Sequence, residues 1–146
     1  MKKGRVLVVD DEPGIRESLL GILEDEGYEA AAVGTGEECL AHLEEKIHHV
    51  VLLDIWLPTI DGLVTLEQIQ ALDPTQRPVV VVISGHGTIE TAVKATKLGA
   101  LDFLEKPLSL DKVTVAVKNA LDHRRLVIEN QTLRERTGSG LEIIGD

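Results

Sequence analysis

Unbroken apolar runs alternate along this chain with stretches of helical period. RVLVVD (Arg5 to Asp10), YEAAAV (Tyr28 to Val33), HVVLLD (His49 to Asp54) and PVVVVIS (Pro78 to Ser84) are rich in aliphatic residues, many of them β-branched, and each reads as a strand. Between them Ile15, Leu19, Ile22 and Leu23, then Leu40 and Leu43, then Leu63, Leu66, Ile69 and Leu72 recur at the spacing of one helix face. Farther on, Ile89, Ala92, Val93 and Thr96 mark a fourth helix, ended by Gly99. A short strand is expected near Ala100 to Leu104. Val113, Ala116, Val117, Ala120 and Leu121 then mark a fifth helix, with Leu110 just ahead of its stripe and Ser109 as N-cap.

Strands that are apolar at successive positions, without polar alternation, belong to sheets covered on both faces. Five β/α units therefore predict an α/β domain built on a parallel sheet with right-handed crossovers. In such sheets the ligand crevice lies outside the carboxyl ends of the strands, near the point where strand order reverses. Asp10 and Asp11 end the first strand, Asp54 the third and Ser84 the fourth, and Lys106 follows the fifth. Residues far apart in sequence are thus expected on one rim.

Composition narrows the function classes. At 146 residues the chain suits one domain plus an appendage, and its only aromatics are Trp56, Tyr28 and Phe103, too few for base stacking. The formal net charge of −10 argues against phosphate-backbone binding by this chain alone. Cys39 is the single cysteine, so no internal disulfide forms; a small buried residue on a helix in a reducing compartment is its plain reading. The apolar run after Met-Lys-Lys stops at Asp10, too short for export, and no run reaches the roughly 20 apolar residues of a membrane span. The expected setting is cytoplasmic, with no membrane partner.

Carboxylates crowded at one rim repel one another unless a cation joins them. Magnesium suits oxygen ligands and commonly binds through one or two carboxylates plus a phosphate. Asp11 and Asp54 are candidate direct ligands, Asp10 a candidate holder of a bound water, and a backbone carbonyl just past Asp54 can complete the shell. Asp54 stands alone at its strand end, which makes it the candidate nucleophile toward a phosphoryl group, with Ser84 and Lys106 as donors to the phosphoryl oxygens. Glu12 is expected at the rim, where it influences metal access. Paired acids after a strand are by themselves a common solvated turn, a loop serine is a common hydroxyl, and Phe103 reads equally as plain core; the joint placement at four strand ends carries the argument. His86 is left with its loop, since no second His or Cys accompanies it at ligand spacing.

VLVVDDE, LLDIWLPTIDG and VVISGHGTIETAVKATKLGALDFLEKPLSL together resemble, in order and spacing, the receiver domain of two-component response regulators, over about residues 4 to 121. The resemblance implies a flavodoxin-like (βα)5 fold, doubly wound, with strand order 2-1-3-4-5 and an extended C-terminal helix. It implies Asp54 as phosphoacceptor from a sensor histidine kinase, Asp10 and Asp11 as the acids that organise Mg2+, and Trp56 as donor of the metal-binding carbonyl. Ser84 falls at the switch hydroxyl, Phe103 at the switch aromatic and Lys106 at the site lysine, whose bond to Pro107 is cis in that family. Homodimerisation or partner binding is implied at the face of the fourth helix, fifth strand and fifth helix.

DIWLP, SGHGTIETAVKATKLGA and EKPLSL are most similar to the NtrC and NtrX type, activators that work with the sigma-54 form of RNA polymerase. Leu126, Asn130 and Leu133 have the spacing of a short coiled-coil seam, which a solvated helix end shares, and TGSGLEIIGD reads as a linker into an AAA+ domain. The expected layout is a receiver domain over 1–121 and a helical linker with the start of a truncated AAA+ domain over 122–146. DNA and polymerase would then be met only through segments absent from this chain, and no Walker A sequence is present.

Three rivals make different demands. A haloacid-dehalogenase-like phosphohydrolase would carry a second Asp two residues after its nucleophile, where this chain has Trp56. A flavin or nucleotide module would follow its first strand with a phosphate-binding loop, where DDEPG presents carboxylates. A receiver fold used only as an unphosphorylated interaction module commonly lacks one of the acids or the lysine, all of which are present.

Overall fold

The computed structural model describes the backbone of residues 3–57, 61–85 and 88–144, with side chains through 130. His86 lies outside the described residues. Ten elements alternate: β1 (Arg5–Val9), α1 (Pro13–Asp25), β2 (Glu29–Val33), α2 (Gly36–Glu45), β3 (Val50–Asp54), α3 (Gly62–Gln70), β4 (Val79–Ser84), α4 (Ile89–Lys97), β5 (Asp102–Glu105) and α5 (Leu110–Ile144). The strands form one sheet, all neighbours parallel, in the order β2-β1-β3-β4-β5.

The unbroken apolar runs follow from this placement, because successive side chains point to opposite faces and both faces are covered. On one face Leu7, Val9, Val51, Leu53, Val80 and Val82 meet Cys39 and Leu43 of α2, Leu66 and Ile69 of α3 and Ala95 of α4. On the other, Val6, Val8, Val50, Leu52, Val81 and Ile83 meet Leu19 and Leu23 of α1 and Val113, Val117 and Ala120 of α5. Cys39 is fully enclosed, and burial pushes its thiol up to about 12, which makes it a packing residue rather than a reactive one.

Helix ends follow local chemistry. Thr35, Asp61 and Thr88 accept from the backbone N–H three residues on, and Ser109 Oγ accepts from Lys112 N at 3.1 Å, so the expected N-cap of α5 is present. Gly99 closes α4 at φ +110°, a conformation that disfavours any side chain. Ala100 N is taken by Ala95 O in this closure, Leu101 N already donates to Val80 O of β4, and β5 starts at Asp102, two residues later than the expected Ala100.

One apolar stripe marks its helix but not its buried face. Ile89 and Val93 of α4 are 85% and 46% exposed, and the helix packs instead through Ala95, with Ala92 and Leu98 partly covered. Periodicity fixes a helix, while what covers its stripe depends on neighbours that are remote in sequence. The backbone of α5 runs on through the Gly/Ser stretch to Ile144. Leu126 and Asn130 are exposed, and the side chain of Leu133 lies outside the described residues. Among the described residues no helix is long and apolar enough to cross a membrane.

At the amino end of β3, Arg5 N donates to His49 Nδ1 at 2.8 Å, so this nitrogen must be unprotonated. Burial, then the charges of Arg124 and Arg5, hold the pKa of His49 below its ordinary value, and burial does the same for His48. A depressed folded-state pKa makes a contribution that is complete above the ordinary 6.5 and is lost as pH falls through the folded value. The melting temperature is therefore expected to drop as pH is lowered from 7.5 toward 5.5, and His49→Asn should flatten that dependence; an equally steep drop in the variant would contradict it.

Candidate functional site

The sheet delivers the site residues to the carboxyl ends of β1, β3 and β4 and the segment after β5. Asp54 closes β3 beside Ile83 in register, Ser84 closes β4 beside Glu105, and Lys106 N donates back to Ser84 O at 2.9 Å. The Lys106–Pro107 bond is cis. Asp10 leaves β1 with its N–H still bonded to Val33 O.

At the centre a single ammonium meets three acids. Lys106 Nζ lies 2.8 Å from Asp10 Oδ2, 3.2 Å from Asp54 Oδ2 and 3.7 Å from Glu12 Oε1. Asp10 is fully buried and Asp54 nearly so, whereas Glu12 and Asp11 are exposed. Each buried acid also accepts one local amide: Glu12 N donates to Asp10 Oδ1 at 2.9 Å and Trp56 N to Asp54 Oδ1 at 3.1 Å. Trp56, by contrast, has its side chain 59% exposed beside the site.

The electrostatics follow from this crowding. Burial pushes the Asp54 carboxyl up; the Trp56 amide opposes that, the Asp10 charge adds to it, and Lys106 draws it back, leaving a net rise. For Lys106 burial works against the charged form, but hydrogen bonding to Asp10 and the charges of Asp54 and Asp10 together outweigh it, so its pKa is raised. Asp54, Asp11, Glu12, Trp56, Gly85 and Lys106 line a cleft of about 160 Å³, open to a small oxyanion. Asp10 does not line it.

The residues fit a hard divalent cation. Carboxylate oxygens of Asp10, Asp11 and Glu12 come within 4.8 Å of one another, and the buried Asp10 Oδ2 has the Lys106 ammonium at 2.8 Å as its partner. A wholly oxygen donor set, with a buried carboxylate beside two exposed ones, suits magnesium better than a softer metal. Glu12 thus joins the acid cluster as expected at the rim.

Pattern reading missed Arg16. From the first turns of α1 its Nη1 donates to Asp10 O at 2.7 Å and passes over Gly34, where a Cβ would come within 3.2 Å of that nitrogen. It anchors the main chain where β1 releases the acids. Its only sequence signal was a basic residue five positions after the acid pair. Phe103 is partly buried against the α2–α4 side of the core, so its packing role is real.

The response regulator receiver domain family model matches residues 6–118. The chain belongs to this family. Receiver domains are phosphoacceptor switches rather than classical enzymes. They generally bind magnesium at an acidic pocket, they work with sensor histidine kinases, and response regulators commonly dimerise. Among relatives, the nitrogen assimilation regulatory protein NtrX of Azorhizobium caulinodans is 45% identical over 134 residues, 90% of this chain and 29% of that protein. The structure of NtrX from Brucella abortus in complex with ADP superimposes with a TM-score of 0.84 at 42% identity, over 92% of this chain and 30% of that one. The beryllofluoride-activated NtrC4 receiver domain dimer gives 0.77 at 43% identity, over 82% and 98%. This receiver domain spans about 30% of the length of the first curated relatives it matches.

Proposed function

We propose that this receiver domain accepts a phosphoryl group on Asp54 from a sensor histidine kinase. The observation that carries the choice of residue is that Asp54 alone is a buried carboxylate lining the cleft: Asp10 is buried but outside it, and Asp11 and Glu12 line it but are solvated. Burial makes Asp54 a more basic oxygen nucleophile, while the Lys106 charge beside it favours its ionised form. As a carboxylate oxygen bonds to phosphorus, the phosphorus–nitrogen bond of the donor phosphohistidine breaks and imidazole leaves. Lys106 and the Ser84 hydroxyl are assigned to the transferred oxygens, where charge-assisted hydrogen bonds are strongest.

Asp11, Asp54 and the Trp56 carbonyl would hold magnesium directly and Asp10 through a water, and the ion would supply positive charge to the phosphoryl oxygens. The domain thereby assists its own phosphorylation and dephosphorylation. Once Asp54 carries its acyl phosphate, the new charge and acceptors draw Ser84 inward, and Phe103 turns into the space released. The face of α4, β5 and α5 then serves as the homodimer interface, continued by the linker helix. Support comes from Ile89, Val93, Leu101 and Val115, all exposed apolar side chains of this region, and from the dimeric NtrC4 neighbour. In the cytoplasm, the whole protein would couple this switch to an AAA+ ATPase acting on sigma-54 polymerase and to DNA binding, with residues 1–121 as receiver and 122–146 leading into the ATPase.

Intact mass after incubation with acetyl phosphate tests the proposal. A single phosphoryl adduct is expected with magnesium and none in excess EDTA, and no adduct in either condition would contradict it. Lys106→Ala should still take up label but lose the phosphorylation-dependent change in sedimentation. A normal shift in that variant would remove the lysine from the switch.

A further inference from the structure

The pole of the sheet opposite the acid rim holds a cavity of about 330 Å³ between the α3–β4 loop, the end of α4 and the part of α5 beyond Ala120. Arg77 and Arg124 both line it. Arg77 Nη2 donates to Leu72 O at 3.0 Å; Arg124 Nη2 donates to Thr75 O at 3.0 Å and its Nε to Arg77 O at 3.4 Å. All three acceptors are neutral carbonyls.

Among the described residues neither guanidinium has a carboxylate within ion-pair distance, and Arg77 Nε is buried with no hydrogen-bond partner. Asp73, the acid nearest to Arg77 in sequence, commits its Oδ1 to Thr75 N and Thr75 Oγ1; these bonds, and to a lesser degree the Arg77 charge, hold its pKa down, but the two residues make no ion pair. Burial also holds the pKa of Arg124 below its ordinary value, the mark of a desolvated charge without an anion beside it. Two partly buried cations that line one cavity, in a chain whose formal net charge is −10, favour an anion between them. Around them Pro74, Pro78, Leu101 and Val127 supply apolar wall.

We propose that this cavity is a ligand site for an oxyanion, phosphate or carboxylate, carried on a small apolar body. The terminal nitrogens of the Arg77 and Arg124 guanidinium forks bind the oxygens, and the prolines, Leu101 and Val127 cover the apolar part. The volume falls in the range of small-molecule sites. The site is separate from the acid rim and does not depend on phosphorylation of Asp54. Its position between the α3–β4 loop and α5 means that occupancy would tighten the hold of the domain on the helix that leaves it.

The test is a nitrogen-15 NMR titration of the chain in excess EDTA, so that no divalent ion can recruit phosphate to the acid rim. Phenyl phosphate, benzoate and inorganic phosphate are the probes, the first two distinguishing phosphate from carboxylate as the preferred head. Saturable shifts are expected at Arg77 Nε–H and at the amides of Thr75, Leu101 and Val127, stronger for phenyl phosphate than for inorganic phosphate. Arg77→Gln should weaken binding at least about tenfold. Should Arg77→Gln fold poorly, the shift map of the parent chain still decides. A map centred on Asp11, Trp56 and Gly85, shifts that never saturate with any probe, or an unchanged affinity in a folded Arg77→Gln would overturn the proposal and leave the two arginines as a clamp on α5.

Discussion

Asp54→Asn is expected to abolish phosphoryl labelling and, without magnesium, to raise stability by about 1 kcal/mol. The two effects have one origin. The ionised carboxylate sits almost wholly buried next to Asp10, and its raised pKa means that charging it costs more in the folded chain than in the unfolded one. A group whose folded pKa is raised favours the folded state below its ordinary value of 3.8 and loses that advantage as pH rises through the folded value. The penalty is present at any pH above the folded value. Asparagine keeps an acceptor for the Trp56 amide and removes the charge, so the gain in stability should appear in urea unfolding at pH 7.5 and vanish toward pH 3. A variant less stable than the parent at pH 7.5 would show that Lys106 more than repays the burial of Asp54.

Gly62→Ala is expected to destabilise the domain by about 3 kcal/mol and to impair labelling at the same time. A Cβ there would stand 2.3 Å from Asp54 O and 2.5 Å from Ile55 Cα, both backbone atoms that cannot swing aside. Gly62 N also donates to Ile55 O at 2.7 Å, so α3 starts pressed directly against the strand end that bears the acceptor. Accommodating the methyl group moves either the helix or Asp54. Urea unfolding together with labelling rate checks this, and a variant with parental values in both would mean that the close approach relaxes without consequence.

Strands and rim were legible because burial on both faces leaves no room for polar alternation, and because a charge such as Asp54 can end a buried run only at its mouth. Gly99 and Ser109 announced themselves through turn and cap chemistry that depends on a few neighbouring residues. The outward face of α4 was not legible, since Ile89 and Val93 have core-like spacing and only the packing of Ala95 against the sheet shows that they point away. Arg16, Arg77 and Arg124 were invisible for a related reason: each works by donating to backbone carbonyls, and no sequence pattern records where a carbonyl will lie. Among the acids, the sequence singled out Asp54 by its solitary place, whereas the full burial of Asp10 beside the exposed Asp11 and Glu12 depends on packing that no pattern records.

The central claim is that phosphorus is carried by Asp54 and by no other acid of the rim. Its most direct test is borohydride reduction of the chain after treatment with acetyl phosphate and magnesium, which converts a phosphorylated aspartate to homoserine, followed by peptide sequencing by mass spectrometry. Homoserine at position 54 alone is the result predicted. Homoserine at position 10 or 11, with residue 54 still aspartate, would contradict it.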